Sequence, residues 1–167
     1  ESMTGDERIE RHTGQRGIYY VAYGDKARDV ARRAIESAHK HLPGVPCAVV
    51  SDSPLGCEDV FIQHEDEDIG GRSVKTQLYD LAPADWEYVV YLDADTEIVA
   101  DVSYLFQVLE SGWDMFICTH PLKYALVRDM KRPDNVQELA ATVALLGGDE
   151  LLQYNGGVFG FRRNART

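Results

Sequence analysis

The sequence predicts an α/β fold with a mostly parallel central sheet flanked by helices. The chain opens with an apolar run at 18–23, an amphipathic pattern at 27–38 and a second apolar run at 46–50, which is a strand–helix–strand order. Such a unit forms a right-handed parallel crossover. A continuous apolar run at 88–92 is typical of a strand buried on both faces. With 167 residues, 44% of them hydrophobic, the chain is expected to form one domain around one core.

Composition excludes several functional classes. The formal net charge of −11 disfavours broad binding to nucleic acid or to an anionic membrane surface. No apolar run approaches the length of about 20 residues that a membrane-spanning helix needs, and the N-terminus has no signal-peptide pattern, so we expect a cytoplasmic protein. Cys47, Cys57 and Cys118 form neither an even set nor a CxxC pair, and we expect buried free thiols.

The first part of the chain predicts an N-terminal arm, a strand and a helix. Residues 1–16 are polar and lack periodicity, so we expect a disordered or flexible arm followed by a domain at 17–167. The strand at 18–23 ends at Gly24-Asp25, and apolar residues then recur at helical spacing up to Ala38. Leu42-Pro43-Gly44 ends that helix before the second strand.

The middle of the chain continues the alternation of strands and helices. A short strand is predicted at 60–62, and an exposed loop is predicted where the acidic residues 65–68 precede Gly70-Gly71. A helix follows at 73–81 and leads to the strand at 88–92.

The last third of the chain is less regular. It predicts a helix at 103–110, a strand at 114–118, one or two helices between 122 and 146, and a final strand at 157–161.

The strand at 88–92 delivers two carboxylates to its C-terminal end, Asp93 and Asp95 in Asp93-Ala94-Asp95-Thr96. In open α/β sheets ligands bind outside the carboxyl ends of the strands. Alternation in an extended segment points both side chains to one side, and hard oxygen ligands suit Mg²⁺ or Mn²⁺. The alternative is an acidic turn that merely ends the strand.

These residues resemble a known family when they are taken together. The segment 91–96, preceded by Lys75 on a helix and followed by the run 154–161 (Tyr-Asn-Gly-Gly-Val-Phe-Gly-Phe), is similar to nucleotide-sugar-dependent glycosyltransferases of the GT-A fold. The resemblance is strongest to the glycogenin-like and bacterial lipopolysaccharide galactosyltransferase-like group. It runs from about Gly17 to Arg163, and it implies a Rossmann-like single domain that transfers a sugar from a nucleotide donor, most often a UDP-sugar.

The resemblance implies a role for each matched residue around the cation and the nucleotide. Asp95 would bind the cation directly, and Asp93 would contact the cation or the ribose. The Tyr23-Gly24 turn would hold the base and ribose. Asp52 would hydrogen-bond to the nucleoside, and Lys75 would offer a positive charge to the nucleotide or diphosphate.

The matched residues of the last strand would lie beside the transferred sugar. Asn155 can donate to and accept from hydroxyl groups, and Gly156 and Gly157 permit close approach of the backbone. The acceptor, whether glycan, protein or small molecule, is not indicated, and neither is a catalytic residue. Association into homo-oligomers is compatible with the sequence.

Each of these residues also has a plainer interpretation, and both interpretations stay open at the level of sequence. In the plainer one, Lys75 is a solvated helix residue, Asp52 a turn former and Tyr23 a core residue, while Gly156-Gly157 is a bend before the last strand. His120 at a strand end is interpreted as a bystander.

At its C-terminal end the sequence differs from the family that it resembles. Relatives carry a later segment with a metal-binding histidine, or an acidic catalytic base, and neither is found in the ten residues after Gly157. We therefore expect a truncated chain, a small enzyme completed by a partner subunit, or a non-catalytic nucleotide-sugar-binding module.

A second enzyme class also fits part of the motif. The strand followed by Asp93-Ala94-Asp95-Thr96 matches the DxDxT of haloacid dehalogenase-like phosphatases, with Asp93 as nucleophile and Asp95 as general acid. Thr119 and Asp149 would imitate that family's later motifs. Against it, the nucleophile strand of that family opens the core, whereas here two or more predicted strands precede it.

Overall fold

The computed structural model describes residues 15–65, 73–119, 136–148 and 154–164. They form one six-stranded sheet with the strand order β3-β2-β1-β4-β6-β5. The strands are β1 (Gln15–Val21), β2 (Cys47–Ser51), β3 (Val60–Gln63), β4 (Trp86–Leu92), β5 (Met115–Thr119) and β6 (Tyr154–Arg162). The helices are α1 (Gly24–His41), α2 (Leu78–Leu81), α3 (Tyr104–Glu110) and α4 (Val136–Leu146), and a 3₁₀ helix at Ser73–Gln77 leads into α2. The predicted α/β class with a mostly parallel sheet is confirmed.

Four neighbouring strands form the parallel half of the sheet. β1 pairs in parallel with β2, with Ile18 opposite Cys47 and Val21 opposite Val50. β1 also pairs in parallel with β4, and β2 with β3. Because β1 is joined to β2 through α1, the opening unit is the crossover predicted from the sequence. The carboxyl ends of all four strands therefore lie along one edge of the sheet.

β6 reverses the direction of the sheet. It pairs antiparallel with β4 on one side and with β5 on the other. Its amino end therefore lies at the edge where β4 ends. On the β5 side Phe159 is opposite Ile117 but Asn155 is opposite Cys118, so three residues of β6, 156–158, lie between the partners of consecutive β5 residues. This bulge leaves the pairing of β6 with β4 in register.

The core lies on both faces of the parallel half. One buried cluster packs α1 and α3 against one face, with Tyr20 and Tyr88 among its fully buried side chains. The other cluster packs the 3₁₀ helix and α2 against the opposite face, around Tyr19, Trp86 and Tyr91. Burial on both faces is the physical reason why these strands are continuous apolar runs in the sequence.

Two glycines allow aromatic rings to lie directly on the sheet. A Cβ added to Gly17 would lie 2.0 Å from Cε3 of Trp86, a residue that is 3% exposed. A Cβ added to Gly160 would lie 2.3 Å from Cε1 of Phe116, which is only half-buried. One glycine is in the parallel half, and the other is in the antiparallel half.

Several boundaries differ from the predicted ones. β1 begins at Gln15 rather than at residue 18, because Gln15 and Arg16 pair with β4. Arg16 is also held by Glu110, to whose two carboxylate oxygens its Nε and Nη2 donate at 2.6 and 2.8 Å. β1 ends at Val21, since Tyr23 is the N-cap of α1. The helix expected at 73–81 is divided between 3₁₀ and α geometry.

The last strand begins at Tyr154 rather than at residue 157, so the interpretation of Gly156-Gly157 as a bend before it is wrong. The acidic loop at 66–68 with Gly70-Gly71, and residues 120–135, lie outside the described residues. Within the described ranges, no helix combines the length and the apolar character needed to cross a membrane.

Candidate functional site at the carboxyl edge

The sheet brings most of the residues singled out in the sequence to one edge. Tyr23 and Gly24 follow β1, Asp52 follows β2 and Asp93 follows β4. Asn155 and Gly157 reach the same edge because β6 runs in the opposite direction. Asp52 and Asp93 lie at the same end of the sheet because β1 pairs in parallel with both β2 and β4.

Asp93 is held in place by three neighbours. Its carboxylate Oδ1 accepts a hydrogen bond from the Lys75 ammonium at 2.6 Å and another from the Tyr91 hydroxyl at 2.7 Å. Its backbone N–H donates to the carbonyl oxygen of Gly157 at 2.8 Å. Burial raises the pKa of Tyr91 well above its usual value, and the adjacent Asp93 carboxylate raises it further. The phenol is therefore a neutral, permanent donor to Asp93.

Lys75 reaches Asp93 from the 3₁₀ helix on one face of the sheet. Its ammonium lies 5.2 Å from the centre of the Tyr91 ring, a cation–π distance, and that ring stacks on Phe159 with centroids 4.8 Å apart. The interpretation of Lys75 as a solvated helix residue is not supported by this contact. Lys75 and Asp93 form a partly buried ion pair, which orients the first of the two carboxylates in Asp93-Ala94-Asp95.

Gly157 is required by the close approach of β6 to Asp93. A Cβ at this position would lie 2.6 Å from Asp93 Oδ2 and 3.1 Å from Asn155 Oδ1. The Asn155 side chain instead accepts the N–H of Gly157 at 2.9 Å. A Cβ on Gly156 would meet no atom within 4 Å, so the two glycines are not equivalent. Asn155 and Gly157 thus form one unit with Asp93.

A cleft of about 490 Å³ lies between the start of α1 and the 93–95 turn. Its walls are the side chains of Tyr23, Lys26, Ala27, Val30, Asp93, Ala94 and Asp95. Asp95 is exposed, and among the described residues no side chain or backbone group holds its carboxylate. Its oxygens are thus open to a ligand in the cleft.

The carboxylates of Asp93 and Asp95 fit a small divalent cation. Both are hard oxygen donors, both line the same cleft, and the firmly held one lies beside the free one. Mg²⁺ and Mn²⁺ are typically held by one or two carboxylates together with ligand phosphates and water. The donor set therefore suits a cation that is completed by a bound diphosphate.

Asp52 is at the expected edge but is already engaged. Arg28 of α1 forms ion pairs with both Asp52 and Asp25. The hydrogen bond from Arg28 is the main cause of the lowered pKa of Asp52. Ser51 Oγ also lies 3.1 Å from the Asp52 carboxylate. One Asp52 oxygen is therefore committed to Arg28, a contact that the sequence did not predict.

Tyr23 is half-buried at the cleft, so it is not simply a core residue. Its hydroxyl lies 3.0 Å from Nδ1 of His64, just beyond β3. This contact extends the edge from β1 across to β3. Thr119 is the exposed last residue of β5, and His120 and Asp149 lie outside the described residues.

Sequence reasoning did not single out Lys26, Tyr91 or His64 for this site. Lys26 carried a signal, because a cation is unfavourable in the first turn of a helix, where the helix dipole is positive. The apolar pattern indicated only that Tyr91 belongs to a buried strand. The contact of His64 with Tyr23 depends on the order of strands in the sheet, and no local pattern encodes it.

The chain is similar to known proteins in structure but not in sequence. No protein-family profile matches the sequence, and no curated protein is similar to it in sequence. Solved structures do share its fold. Mouse xyloside xylosyltransferase 1 superposes with a TM-score of 0.53 at 11% identity, covering 89% of this chain and 66% of that one.

Two further structures give the same result. An active-site mutant of LgtC superposes with a TM-score of 0.56 at 16% identity, covering 87% of this chain and 57% of that one. The bifunctional glycosyltransferase WbbM gives 0.57 at 14% identity, covering 91% of this chain and 32% of that one. This chain thus spans less than two thirds of each of these proteins, and it has the GT-A fold.

Proposed function

We propose that this GT-A-fold chain is a glycosyltransferase domain that binds a nucleoside diphosphate sugar in the cleft beside Asp93 and Asp95 and transfers the sugar to an acceptor. The observation that carries the proposal is the fixed position of Asp93, set by Lys75, Tyr91 and Gly157, next to an unengaged Asp95. The fold is shared with three solved glycosyltransferases, which supports this reaction class over the phosphatase alternative.

Asp93 and Asp95 would hold a Mn²⁺ or Mg²⁺ ion, and when bound this ion supplies positive charge that stabilises the departing diphosphate. Lys26 lies at the amino end of α1, where the helix dipole is also positive, and it is placed to attract a phosphate oxygen. Lys75 keeps the Asp93 carboxylate in one orientation, so the site needs little reorganisation when the donor binds.

The other site residues are assigned to the nucleoside and the sugar. Tyr23 and Gly24 lie against the base and ribose, and Asp52 contacts the nucleoside through the oxygen that Arg28 leaves available. Asn155 and Gly157, together with Gly156, border the sugar. A uridine donor is proposed because the glycosyltransferase group that the sequence resembles mostly uses UDP-sugars.

Calorimetric titration tests the binding part of this proposal. UDP, GDP and UMP are each titrated into the chain with Mn²⁺ present and again with the metal removed by chelation. We expect UDP to bind tightest, and only when Mn²⁺ is present. Affinity that does not depend on the metal, or no affinity for any of the three nucleotides, would overturn the proposed site.

Turnover is tested separately. A panel of UDP-sugars is incubated with the chain and Mn²⁺, and release of UDP is followed with and without candidate acceptors. Release of UDP supports transferase chemistry. Metal-dependent UDP binding without release from any donor would instead identify a nucleotide-sugar-binding module, and hydrolysis of a simple phosphate ester that is lost in Asp93→Asn would identify a phosphatase.

A further inference from the structure

A second group of donor atoms lies at the opposite end of the sheet. His39 is in the last turn of α1, Cys47 is the first residue of β2, and Asp59 directly precedes β3. One ligand atom from each of these residues lies within 4.8 Å of the other two. β2 spans five residues, or about 17 Å, so the group is well separated from the carboxylates at the other edge.

Asp59 connects the three residues. Its Oδ2 lies 2.8 Å from Nε2 of His39 and accepts the backbone N–H of Cys47, also at 2.8 Å. Burial raises the pKa of Asp59, but the hydrogen bonds from Cys47 and His39 outweigh burial and leave its pKa below the usual value. The carboxylate is therefore ionised at neutral pH and can attract a cation.

The group has a buried floor and an open rim. Cys47 is fully buried, whereas the side chains of His39 and Asp59 are 38% and 47% exposed. Burial is the main cause that raises the pKa of the Cys47 thiol to about 12, and the neighbouring charge of Asp59 adds to it. The thiol is thus protonated and unreactive in the absence of a cation. The rim provides access from solvent, and the floor excludes water from the sulfur.

We propose that His39, Cys47 and Asp59 bind a zinc-class divalent cation. Imidazole nitrogen, thiolate sulfur and carboxylate oxygen are the three donor types of protein zinc sites, and a sulfur ligand disfavours Mg²⁺ and Mn²⁺. Zinc–ligand bonds of about 2.0 to 2.3 Å require the donors to move closer together, and the two rim side chains are exposed enough to do so.

Binding has a defined proton balance. The Cys47 thiol transfers its proton to solvent as the sulfur–metal bond forms. The His39 nitrogen that contacts Asp59 gives up any proton it carries, to solvent or to the other ring nitrogen, and then bonds to the metal. Three protein ligands leave a fourth position for water. The bound ion would link the end of α1, the start of β2 and the segment before β3, so it would stabilise this end of the sheet.

Cobalt provides a readout that the carboxylates at the other edge cannot produce. Co²⁺ is titrated into the full chain, and the thiolate-to-Co²⁺ charge-transfer band in the near ultraviolet is recorded, followed by displacement with Zn²⁺. Oxygen ligands alone do not give this band, so binding at Asp93 and Asp95 does not interfere. We expect the band to appear with one equivalent of Co²⁺ and to vanish when Zn²⁺ is added.

Variants assign the band to the three residues. Cys47→Ala should abolish it. His39→Gln and Asp59→Asn should weaken Co²⁺ affinity by more than about tenfold, because loss of a residue that only orients a ligand already costs about 10 to 100-fold. Matched controls are Cys118→Ser, a half-buried cysteine on β5, and His41→Gln, two residues beyond His39. Both should retain the band and the affinity.

The proposal is overturned if the wild-type chain shows no charge-transfer band, or if the band persists in Cys47→Ala. It is also overturned if His39→Gln and His41→Gln bind Co²⁺ equally well. His39 is a surface residue, so His39→Gln keeps the test decisive even if Cys47→Ala fails to fold. A zinc-dependent rise in Tm that His39→Gln removes is the expected confirmation at the level of stability.

Discussion

The parallel and antiparallel halves of the sheet differ in burial. β4, in the parallel half, is buried at six of its seven positions, whereas β5, at the antiparallel edge, alternates exposed and half-buried residues. Met115 and Ile117 of β5 are 51% and 37% exposed. β4 is therefore packed on both faces of the sheet, whereas β5 leaves every second side chain exposed at the edge.

The candidate site lies where the two halves meet. Asp93 directly follows β4, a strand buried at six of its seven positions, and Asn155 and Gly157 lie at the start of the strand that reverses direction beside it. The Asp93 carboxylate, at the end of β4, thus lies against Asn155 and Gly157 of β6. The buried strand β4 thus sets the position of the Asp93 carboxylate, and the start of β6 provides the surface that faces it.

The largest effect is expected for Asp95→Asn. The amide keeps the shape of the side chain but removes the anionic donor, and β4 does not depend on this exposed residue. Affinity for UDP in the presence of Mn²⁺, measured by calorimetry, should fall by more than about tenfold with no change in Tm.

Two further variants serve as a comparison and a control for Asp95→Asn. Asp93→Asn should show a similar or smaller loss of affinity, and it also weakens the ion pair with Lys75. Asp85→Asn, an exposed turn residue before β4, should bind UDP as the wild type does. Unchanged affinity in Asp95→Asn would remove the proposed metal site.

The second prediction compares two adjacent glycines at the boundary of the halves. In Gly157→Ala the new methyl group would lie 2.6 Å from Asp93 Oδ2, so the carboxylate must move. We expect destabilisation of about 1 to 3 kcal/mol in urea unfolding and a clear loss of Mn²⁺-dependent UDP binding. Gly156→Ala is the control, because its methyl group meets nothing within 4 Å. Equal behaviour of the two variants would contradict the tight contact between β6 and Asp93.

The third prediction compares the two halves directly. In Gly17→Ala the methyl group would collide with the buried Trp86 ring, whereas in Gly160→Ala it would meet the half-buried Phe116 ring, which has room to turn towards solvent. Urea unfolding should show a loss of about 3 kcal/mol for Gly17→Ala and about 1 kcal/mol for Gly160→Ala. The reverse order would show that Trp86 is held less tightly on the sheet than Phe116.

The smallest effect concerns pH and the Arg28–Asp52 pair. Since Arg28 lowers the pKa of Asp52 below its unfolded value of about 4, the pair contributes stability above that pH and loses it as pH falls through the lowered pKa. Asp52 is 41% exposed, so screening keeps the effect small.

Thermal unfolding measures this contribution. The Tm of Asp52→Asn should lie below that of the wild type by no more than about 2 °C at pH 6, and the two values should converge near pH 2. A constant difference across this range would show that the pair does not act through its charge.

The sequence predicted the parallel half well for a physical reason. A strand buried on both faces, such as 88–92, is a continuous apolar run, and that pattern needs no knowledge of its neighbours. Asp93 followed from this strand because its position depends only on where the run ends. Lys75 was singled out only through the resemblance to a family, as a positive charge for the nucleotide or diphosphate, and its contact with Asp93 was not predicted.

The antiparallel half was harder to predict. Asn155, Gly156 and Gly157 have low strand propensity, so the extension of β6 to Tyr154 was missed; tertiary pairing with β4 and β5 overrides propensity there. The direction of β6 was not predicted either. The pairing of Arg28 with Asp52 joins residues 24 positions apart, and it depends on the crossover that places α1 beside the end of β2.

The bulge of β6 separates the outer edge of the sheet from the carboxylate site. On the side of β6 that faces β5, residues 156–158 have no pairing partner. On the other side, β6 pairs with β4 in regular register up to Val158, and Gly157 accepts the N–H of Asp93. Length changes in β5 or its flanking segments can therefore be absorbed by the bulge before they reach Asp93. The outer edge of the sheet can therefore be altered in length while the carboxylate geometry at the inner strands is kept.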